Sequence, residues 1–216
     1  MNVTTAGHIY LVDDDASIRI ALTGTLIRQG YTVNAYASAF EFLEQAMPVT
    51  PAVILLDMRM PEQIGVDLQA RLISRGWTTP IVFISGESQS DQIVLAMKQG
   101  ALDFLLKPFS MEQLLKAIQS ALEKDRTIHT ILTKTLAVQR LYARLTPRER
   151  EVFEEIVAGK TNKEIASQDG SAPATVKLHR ARILTKLGVE SLSDLLMLLQ
   201  DVDMVKLKQD LEHTLT

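Results

Sequence analysis

The stretch A-V-I-L-L-D-M-R-M-P, residues 52 to 61, decides how the first half of the chain folds. Five apolar residues run without a polar interruption, and a strand buried on both faces reads this way. The run stops at Asp57. Because side chains alternate across a strand, a carboxylate at the tip of such a run is not an ordinary surface residue. Four comparable segments flank it: H-I-Y-L-V at 8 to 12 and Y-T-V-N-A-Y at 31 to 36 before it, P-I-V-F-I-S at 80 to 85 and A-L-D-F-L-L at 101 to 106 after it. Segments of helical period separate them, which predicts a five-stranded parallel sheet covered by helices over residues 6 to 124. The last helix is the clearest: Met111, Leu114, Leu115, Ile118 and Leu122 recur at helical spacing after Ser110, a cap residue with Gln113 three positions on.

Open parallel sheets bind ligands beyond the carboxyl ends of their strands, and acidic residues collect there. The first strand runs into Asp13, Asp14 and Asp15, the third ends at Asp57, and the fifth ends at Lys107-Pro108. Each signal alone is weak, since an aspartate run caps a following helix and Lys-Pro makes a turn. Two carboxylates 4 Å apart repel by about 1 kcal/mol in water and about 4 kcal/mol at an effective dielectric of 20, so a pocket holding several needs a cation. Mg²⁺ suits two or three carboxylates with an open face for a phosphate. With Mg²⁺ and Lys107 neutralising the incoming group, one carboxylate can attack phosphorus and form a mixed anhydride.

Taken together, the order and strand placement are specific. V-D-D-D at 12 to 15, D-M-R-M-P-x-x-x-G at 57 to 65, I-S-G at 84 to 86 and D-F-L-L-K-P-F at 103 to 109 resemble the receiver domain of two-component response regulators, an α/β, flavodoxin-like doubly wound fold. The resemblance implies that Asp57 accepts a phosphoryl group from the phosphohistidine of a sensor histidine kinase. It implies that Asp14, Asp57 and the backbone carbonyl of Arg59 bind Mg²⁺ directly and that Asp13 acts mostly through water. Lys107 would pair with the phosphoryl oxygens, and Ser85 would hydrogen-bond one of them as Phe104 turns inward. A cis Lys107–Pro108 bond follows by the same route. Arg59 and Glu87 occupy positions that differ among such proteins, and here they are expected to pair across the phosphate and slow its hydrolysis. Such a bridge is worth no more than about 1 kcal/mol.

Residues 125 to 144 carry no strand signal; Ile131, Thr135, Val138, Tyr142 and Leu145 fall at spacings of four and three. This predicts a helical linker, either with a weak heptad seam or as an amphipathic helix lying on one domain. From 145 to 203 the pattern is all helical, opening with Thr146 as cap, Pro147 at the first helical position and Glu149 at the third. L-T-P-R-E-R-E-V-F at 145 to 153, N-K-E-I-A at 162 to 166 and T-V-K-L-H-R-A-R-I at 175 to 183 resemble the LuxR-type helix-turn-helix, and with a receiver in front the chain resembles the FixJ/NarL subfamily. Val176, Ile183, Leu184 and Leu187 make a stripe to be buried, so Ala174, Lys177, Leu178 and Ala181 point outward.

On this reading Lys177 donates to guanine or phosphate, Leu178 meets a thymine methyl, and Thr175 faces DNA on the same helix. Asn162, Lys163, Arg182 and Lys186 contact phosphate, and Arg180 takes either role. His179 reads as a packing residue rather than a base reader. Asp169 and Ser171 depart from the apolar residues usual at this turn, and Ser171 is expected to cap the recognition helix one position early. Leu192, Leu195, Leu196 and Leu199 complete the small core and, by resemblance, pair two DNA-bound copies. Residues 204 to 216 read as a polar tail.

Charge agrees in direction. Residues 1 to 125 hold 9 Lys+Arg against 14 Asp+Glu, and residues 126 to 216 hold 14 against 12. Gly159 to Val189 nets +4, compatible with a polyanion or with a solvated helix surface. Without cysteine there are no disulfides, thiolate metal sites or cysteine nucleophiles. No apolar run approaches the roughly 20 residues of a membrane span, and the amino terminus has no secretory pattern; the chain is expected in the cytoplasm.

The function expected is phosphorylation-controlled transcription regulation, with no enzymatic turnover beyond phosphoryl gain and loss at Asp57. The implied partners are the kinase, a double-stranded operator, a second copy of the chain and RNA polymerase. Dimerisation through Ser90 to Leu122, release of the DNA domain, or both would be the output. Two rivals differ in class: an aspartyl phosphohydrolase with Asp13 and Asp15 as its D-x-D pair, and a protein-binding adaptor whose terminal helices contact protein instead of DNA.

Overall fold

The computed structural model describes residues 6–60, 63–86 and 90–204, and these fall into two compact units divided between His129 and Thr130. In the first unit, β1 (His8–Val12), β2 (Thr32–Tyr36), β3 (Ala52–Asp57), β6 (Ile81–Ser85) and β7 (Asp103–Leu106) form one parallel sheet in the order β2-β1-β3-β6-β7. A two-residue antiparallel pair, β4 (Arg59–Met60) with β5 (Gln63–Ile64), follows β3. The five sequence-predicted strands are the five strands of the large sheet. In this topology the chain leaves β1 toward one edge and returns to β3, so the crevice that parallel sheets use for ligands opens between β1 and β3. Val12 and Leu56 are register partners, which sets Asp13 and Asp57 side by side at its mouth.

Alternation along the strands divides the core. Tyr10, Val12, Ile54, Leu56 and Phe83 face α2 (Ala39–Gln45), α3 (Gly65–Ser74) and α4 (Ser90–Lys98), while Ile9, Leu11, Val53, Leu55, Val82 and Ile84 face α1 (Ala16–Arg28) and α5 (Met111–Ala143). Every residue of β3 is buried, as its unbroken apolar run requires. Gly65 opens α3 because nothing larger fits: a Cβ there would stand 2.7 Å from the Asp57 carbonyl and 2.9 Å from Phe83 Cε1. That contact presses α3 against the end of β3.

The last receiver helix and the linker are one element, since α5 runs 33 residues from Met111 to Ala143. Ser110 starts it with a reciprocal cap, its Oγ accepting from Gln113 N–H at 3.2 Å and its N–H donating to Gln113 Oε1 at 2.8 Å. The linker stripe divides: Ile131 is 36% exposed, while Val138, Tyr142 and Leu145 join the core of the second unit. Over its second half the linker is therefore an amphipathic helix packed on one domain, and those positions are not free to form a coiled-coil seam.

The second unit adds α6 (Pro147–Val157), α7 (Asn162–Asp169), α8 (Pro173–Leu187) and α9 (Leu192–Leu199). Val152, Phe153, Ile156, Ile165, Val176, Ile183, Leu187, Leu195 and Leu199 converge with the end of α5 in one cluster. Thr146 and Glu149 form the predicted capping box on α6, and Thr161 with Glu164 forms another on α7. Gly170 takes φ 71° to end α7 and turn the chain into α8. The tail beyond Met204 lies outside the described residues, as does Glu87, so the expected Arg59–Glu87 pair does too.

Candidate functional site

The sequence brings two aspartates and one lysine to the mouth of the sheet, and the fold closes them on each other. Lys107 Nζ donates to Asp57 Oδ1 at 2.8 Å and to Asp13 Oδ2 at 3.0 Å. Lys107 comes from the loop after β7, where a cis bond to Pro108 follows it as the receiver resemblance implied, and its N–H donates to the Ser85 carbonyl at 2.7 Å. Asp57 Oδ2 accepts from the N–H of Arg59 at 2.7 Å. Asp13 is held by its own surroundings: Oδ1 accepts from Asp15 N–H, and the Arg19 guanidinium donates to its carbonyl at 2.6 Å.

Asp13 and Asp57 are buried, while Asp14 is exposed beside them. Burial pushes the Asp57 carboxyl above its usual range and outweighs Lys107 and the Arg59 N–H, which act to lower it. For Lys107 burial works to lower the value, but its bonds to Asp57 and Asp13 prevail and hold it above the ordinary lysine range. The ammonium therefore stays charged at neutral pH. Two clustered acids against one lysine leave net negative charge in a half-closed pocket lined by hard oxygen donors, with exposed Asp14 at its rim. That donor set fits Mg²⁺, which accepts few protein ligands and keeps several waters. Among the described residues no group of three or more acids and histidines is arranged as a complete metal cage.

Ser85 ends β6 and is buried, and Phe104 of β7 is partly buried against the core. Asp15 is committed elsewhere: its carboxylate accepts from Ser17 N–H at 2.7 Å and Ile18 N–H at 3.3 Å, capping α1. That role takes Asp15 out of the D-x-D pair the phosphohydrolase reading requires.

In the second unit α8 presents the face expected. Val176, Ile183 and Leu187 are buried and Leu184 is partly so, while Thr175, Lys177, Leu178, Ala181 and Arg182 are exposed. Lys163 on α7 is exposed as well. Three expectations change. Lys186, expected at phosphate, turns inward: Nζ stands 2.5 Å from Glu149 Oε2 and 3.3 Å from the Arg144 carbonyl, because a carboxylate as buried as Glu149 requires a cation. Arg180 and Asn162 engage each other, Nη1 donating to Oδ1 at 2.9 Å and reaching the Lys160 carbonyl at 3.4 Å. Ser171 does not cap α8, whose cap position is Ala172 and has no side-chain bond.

The unusual polar turn has its own partners. Asp169 Oδ1 accepts from Ser171 N–H at 2.8 Å, and Oδ2 pairs with Arg148. Glu149 was read from sequence only as a capping residue; its charge pairing with Lys186, 37 positions away, has no local signal.

Comparison with known proteins agrees with both halves. Residues 9–119 match the family described as response regulator receiver domain, and residues 143–199 match bacterial regulatory proteins, luxR family. Nodulation protein W of Bradyrhizobium diazoefficiens is 36% identical over 193 residues, covering 89% of this chain and 85% of that protein. Transcriptional regulatory protein TdiR of Thauera aromatica is 37% identical, covering 91% and 88%. Among solved structures, response regulator StyR superposes with TM-score 0.75 at 37% identity, covering 89% of this chain and 98% of that one. Full-length FixJ from B. japonicum does so with TM-score 0.57 at 35% identity, covering 92% and 98%. With an aspartate pocket at the switch point of its parallel sheet and a helix-turn-helix in its helical unit, the chain belongs to the response regulators of the FixJ/NarL kind, a receiver domain followed by a LuxR-type DNA-binding domain.

Proposed function

We propose that Asp57 is the phosphoryl acceptor of this regulator and that its phosphorylation controls binding of the helix-turn-helix to DNA. The observation that carries this reading is the Asp57–Lys107–Asp13 cluster, a buried carboxylate beside a lysine ammonium at the crevice of the sheet. An oxygen of Asp57 attacks the phosphorus of a kinase phosphohistidine, the P–N bond breaks, and an acyl phosphate forms. The N–H of Arg59 orients the carboxylate from one side, and Lys107 moves its hydrogen bonds onto the phosphoryl oxygens. Asp13, Asp14, Asp57 and the Arg59 carbonyl are the groups to hold Mg²⁺, which supplies charge neutralisation for the transferred group when bound. Ser85, the last residue of β6, and Phe104, the second of β7, are the switch pair.

The output face is the one made by α4, β7 and the start of α5, where Val94, Leu95, Met97, Leu106 and Met111 are between 37% and 50% exposed. Apolar exposure of this extent supports pairing of two receivers. Leu192, Leu196 and Met197 on α9 offer a second apolar face for pairing on DNA. On α8, Thr175, Lys177 and Leu178 read base edges and Arg182 meets phosphate, with Lys163 of α7 beside them; Arg180 and Asn162 brace α7 against α8. A sensor kinase, a two-fold operator and RNA polymerase are the partners, in the cytoplasm. Among the described residues no helix is long and apolar enough to cross a membrane.

The test is DNA binding by the whole chain with acetyl phosphate and Mg²⁺, selecting target fragments from the source genome. Wild type gains affinity at least tenfold on phosphorylation and Asp57→Asn does not. Equal affinity in all states sinks the switch, and absence of DNA binding with intact protein binding supports the adaptor.

A further inference from the structure

The buried stripe of α5 in the receiver unit ends on an acid. Leu114, Ile118, Ala121 and Leu122 are apolar and at most 2% exposed, and the next inward position is Asp125, itself 3% exposed. Its Oδ2 accepts from the Thr50 hydroxyl at 2.8 Å and from the Ala52 N–H at 2.9 Å, partners 75 and 73 residues away. Ala52 is the first residue of β3, the strand that ends in Asp57. Tyr10 of β1 is tied into the same loop: its hydroxyl bonds the Met47 carbonyl and accepts from Val49 N–H at 3.2 Å. Beyond Asp125 no residue of the helix is buried until Val138, which belongs to the core of the second unit.

A carboxylate 3% exposed, whose Oδ2 accepts from one hydroxyl and one strand N–H, is a directional clasp. An apolar residue would fill the space and leave the helix free to rotate or slide by small steps. The Ala52 N–H is also the first donor of β3, so loss of Asp125 leaves it unpaired. Arg126 supports the same turn, its guanidinium reaching the Ala6 carbonyl at 3.2 Å.

We infer that Asp125 is a positioning residue for the regulatory output: it is the receiver's last buried grip on α5, fixing the helix to the start of β3 so that the state of the receiver reaches residues 126–137 as a rigid displacement. The inference rests on phosphorylation at Asp57 for its regulatory half, while the clasp itself does not.

The experiment compares full-length wild type, Asp125→Ala, Asp125→Asn and Thr50→Val. Three quantities are read: phosphoryl incorporation from acetyl phosphate with Mg²⁺, amide exchange of residues 126–137, and the ratio of DNA affinities with and without phosphorylation. For Asp125→Ala, incorporation matches wild type, exchange accelerates at least tenfold, and the affinity ratio falls at least fivefold. Asp125→Asn and Thr50→Val, each keeping part of the clasp, fall between and remain informative if the alanine variant fails to fold. A merely structural role lowers the unfolding midpoint and leaves the affinity ratio at its wild-type value, and that result overturns the inference. Should wild type take no phosphoryl group at Asp57, the functional reading fails instead. The clasp is then judged by exchange alone, and unchanged exchange in Asp125→Ala overturns it.

Discussion

Replacing Glu149 by Gln isolates one charge in the DNA-binding unit. Glutamine at the third helical position can still serve the capping box with Thr146, so the change removes the carboxylate's partnership with Lys186 and little else. That partnership, through the hydrogen bond from Lys186, is the main reason Glu149 titrates at about 2, well below the ordinary glutamate value of 4.5; burial opposes it and the Thr146 bonds assist. At 1.36 kcal/mol per pKa unit such a depression bounds the contribution at roughly 3 kcal/mol. Lys186 is 32% exposed, so solvent screening brings the expected loss to about 2 kcal/mol, on the order of a thirtyfold increase in opening of the unit.

Because the folded value is depressed, the stability is present above pH 4.5, where the unfolded carboxyl is ionised, and is lost as pH falls toward 2. Amide exchange of α6 and α8 peptides across that window measures it. Wild type should lose protection progressively on acidification, and Glu149→Gln should start lower and lose less. A variant within about 0.5 kcal/mol of wild type at neutral pH, with the same acid slope, would refute the pairing argument.

Three further outcomes follow from the same physical reasoning. Asp57→Asn removes a charge whose pKa burial pushes upward, so without Mg²⁺ it should stabilise the receiver above the carboxylate range. Denaturant unfolding followed through Trp77, the one tryptophan of the chain, partly buried and packed against the receiver core, reads this directly, and a destabilised variant would contradict the sign. Gly65→Ala forces a Cβ onto the Asp57 carbonyl and should cost about 2 kcal/mol and slow phosphoryl uptake; an unperturbed unfolding midpoint would show that α3 has room to move. In DNA binding, Lys177→Ala should reduce the slope of log affinity against log salt by about one. Lys186→Ala should leave that slope unchanged, and a drop there would return Lys186 to the phosphates.

Much of the receiver was legible because parallel strands buried on both faces carry unbroken apolar runs. Ala52–Leu56 is such a run and β1 and β6 are buried in the same way, whereas the edge strands β2 and β7 carry polar residues and stay largely exposed; the acids that follow or end β1 and β3 could be placed by alternation. The pocket followed, since Asp57 ends β3 and Asp13 and Lys107 each sit one step beyond a strand. What sequence could not show is how long-range charges are satisfied. Lys186 and Arg180 read as free cations on a DNA-facing helix, yet Glu149 and Asn162 claim them from 37 and 18 positions away. Asp125 escaped notice for the same reason, because a carboxylate at the end of an amphipathic stripe reads as solvated. Sequence left the linker open between a heptad seam and a helix lying on one domain, because Val138 and Tyr142 pack equally well against a domain core or a partner helix and periodicity does not distinguish the two; the structure places them in the core of the second unit.

Phosphoryl transfer to Asp57 can be read chemically. Incubation of the chain with acetyl phosphate and Mg²⁺, reductive trapping of the acyl phosphate with borohydride, and peptide mapping locate the modified residue. A single modification at Asp57 is expected, dependent on Mg²⁺ and greatly slowed in Lys107→Ala. Trapping at Asp13 or Asp14, or none at any residue while the fold is intact, would contradict it.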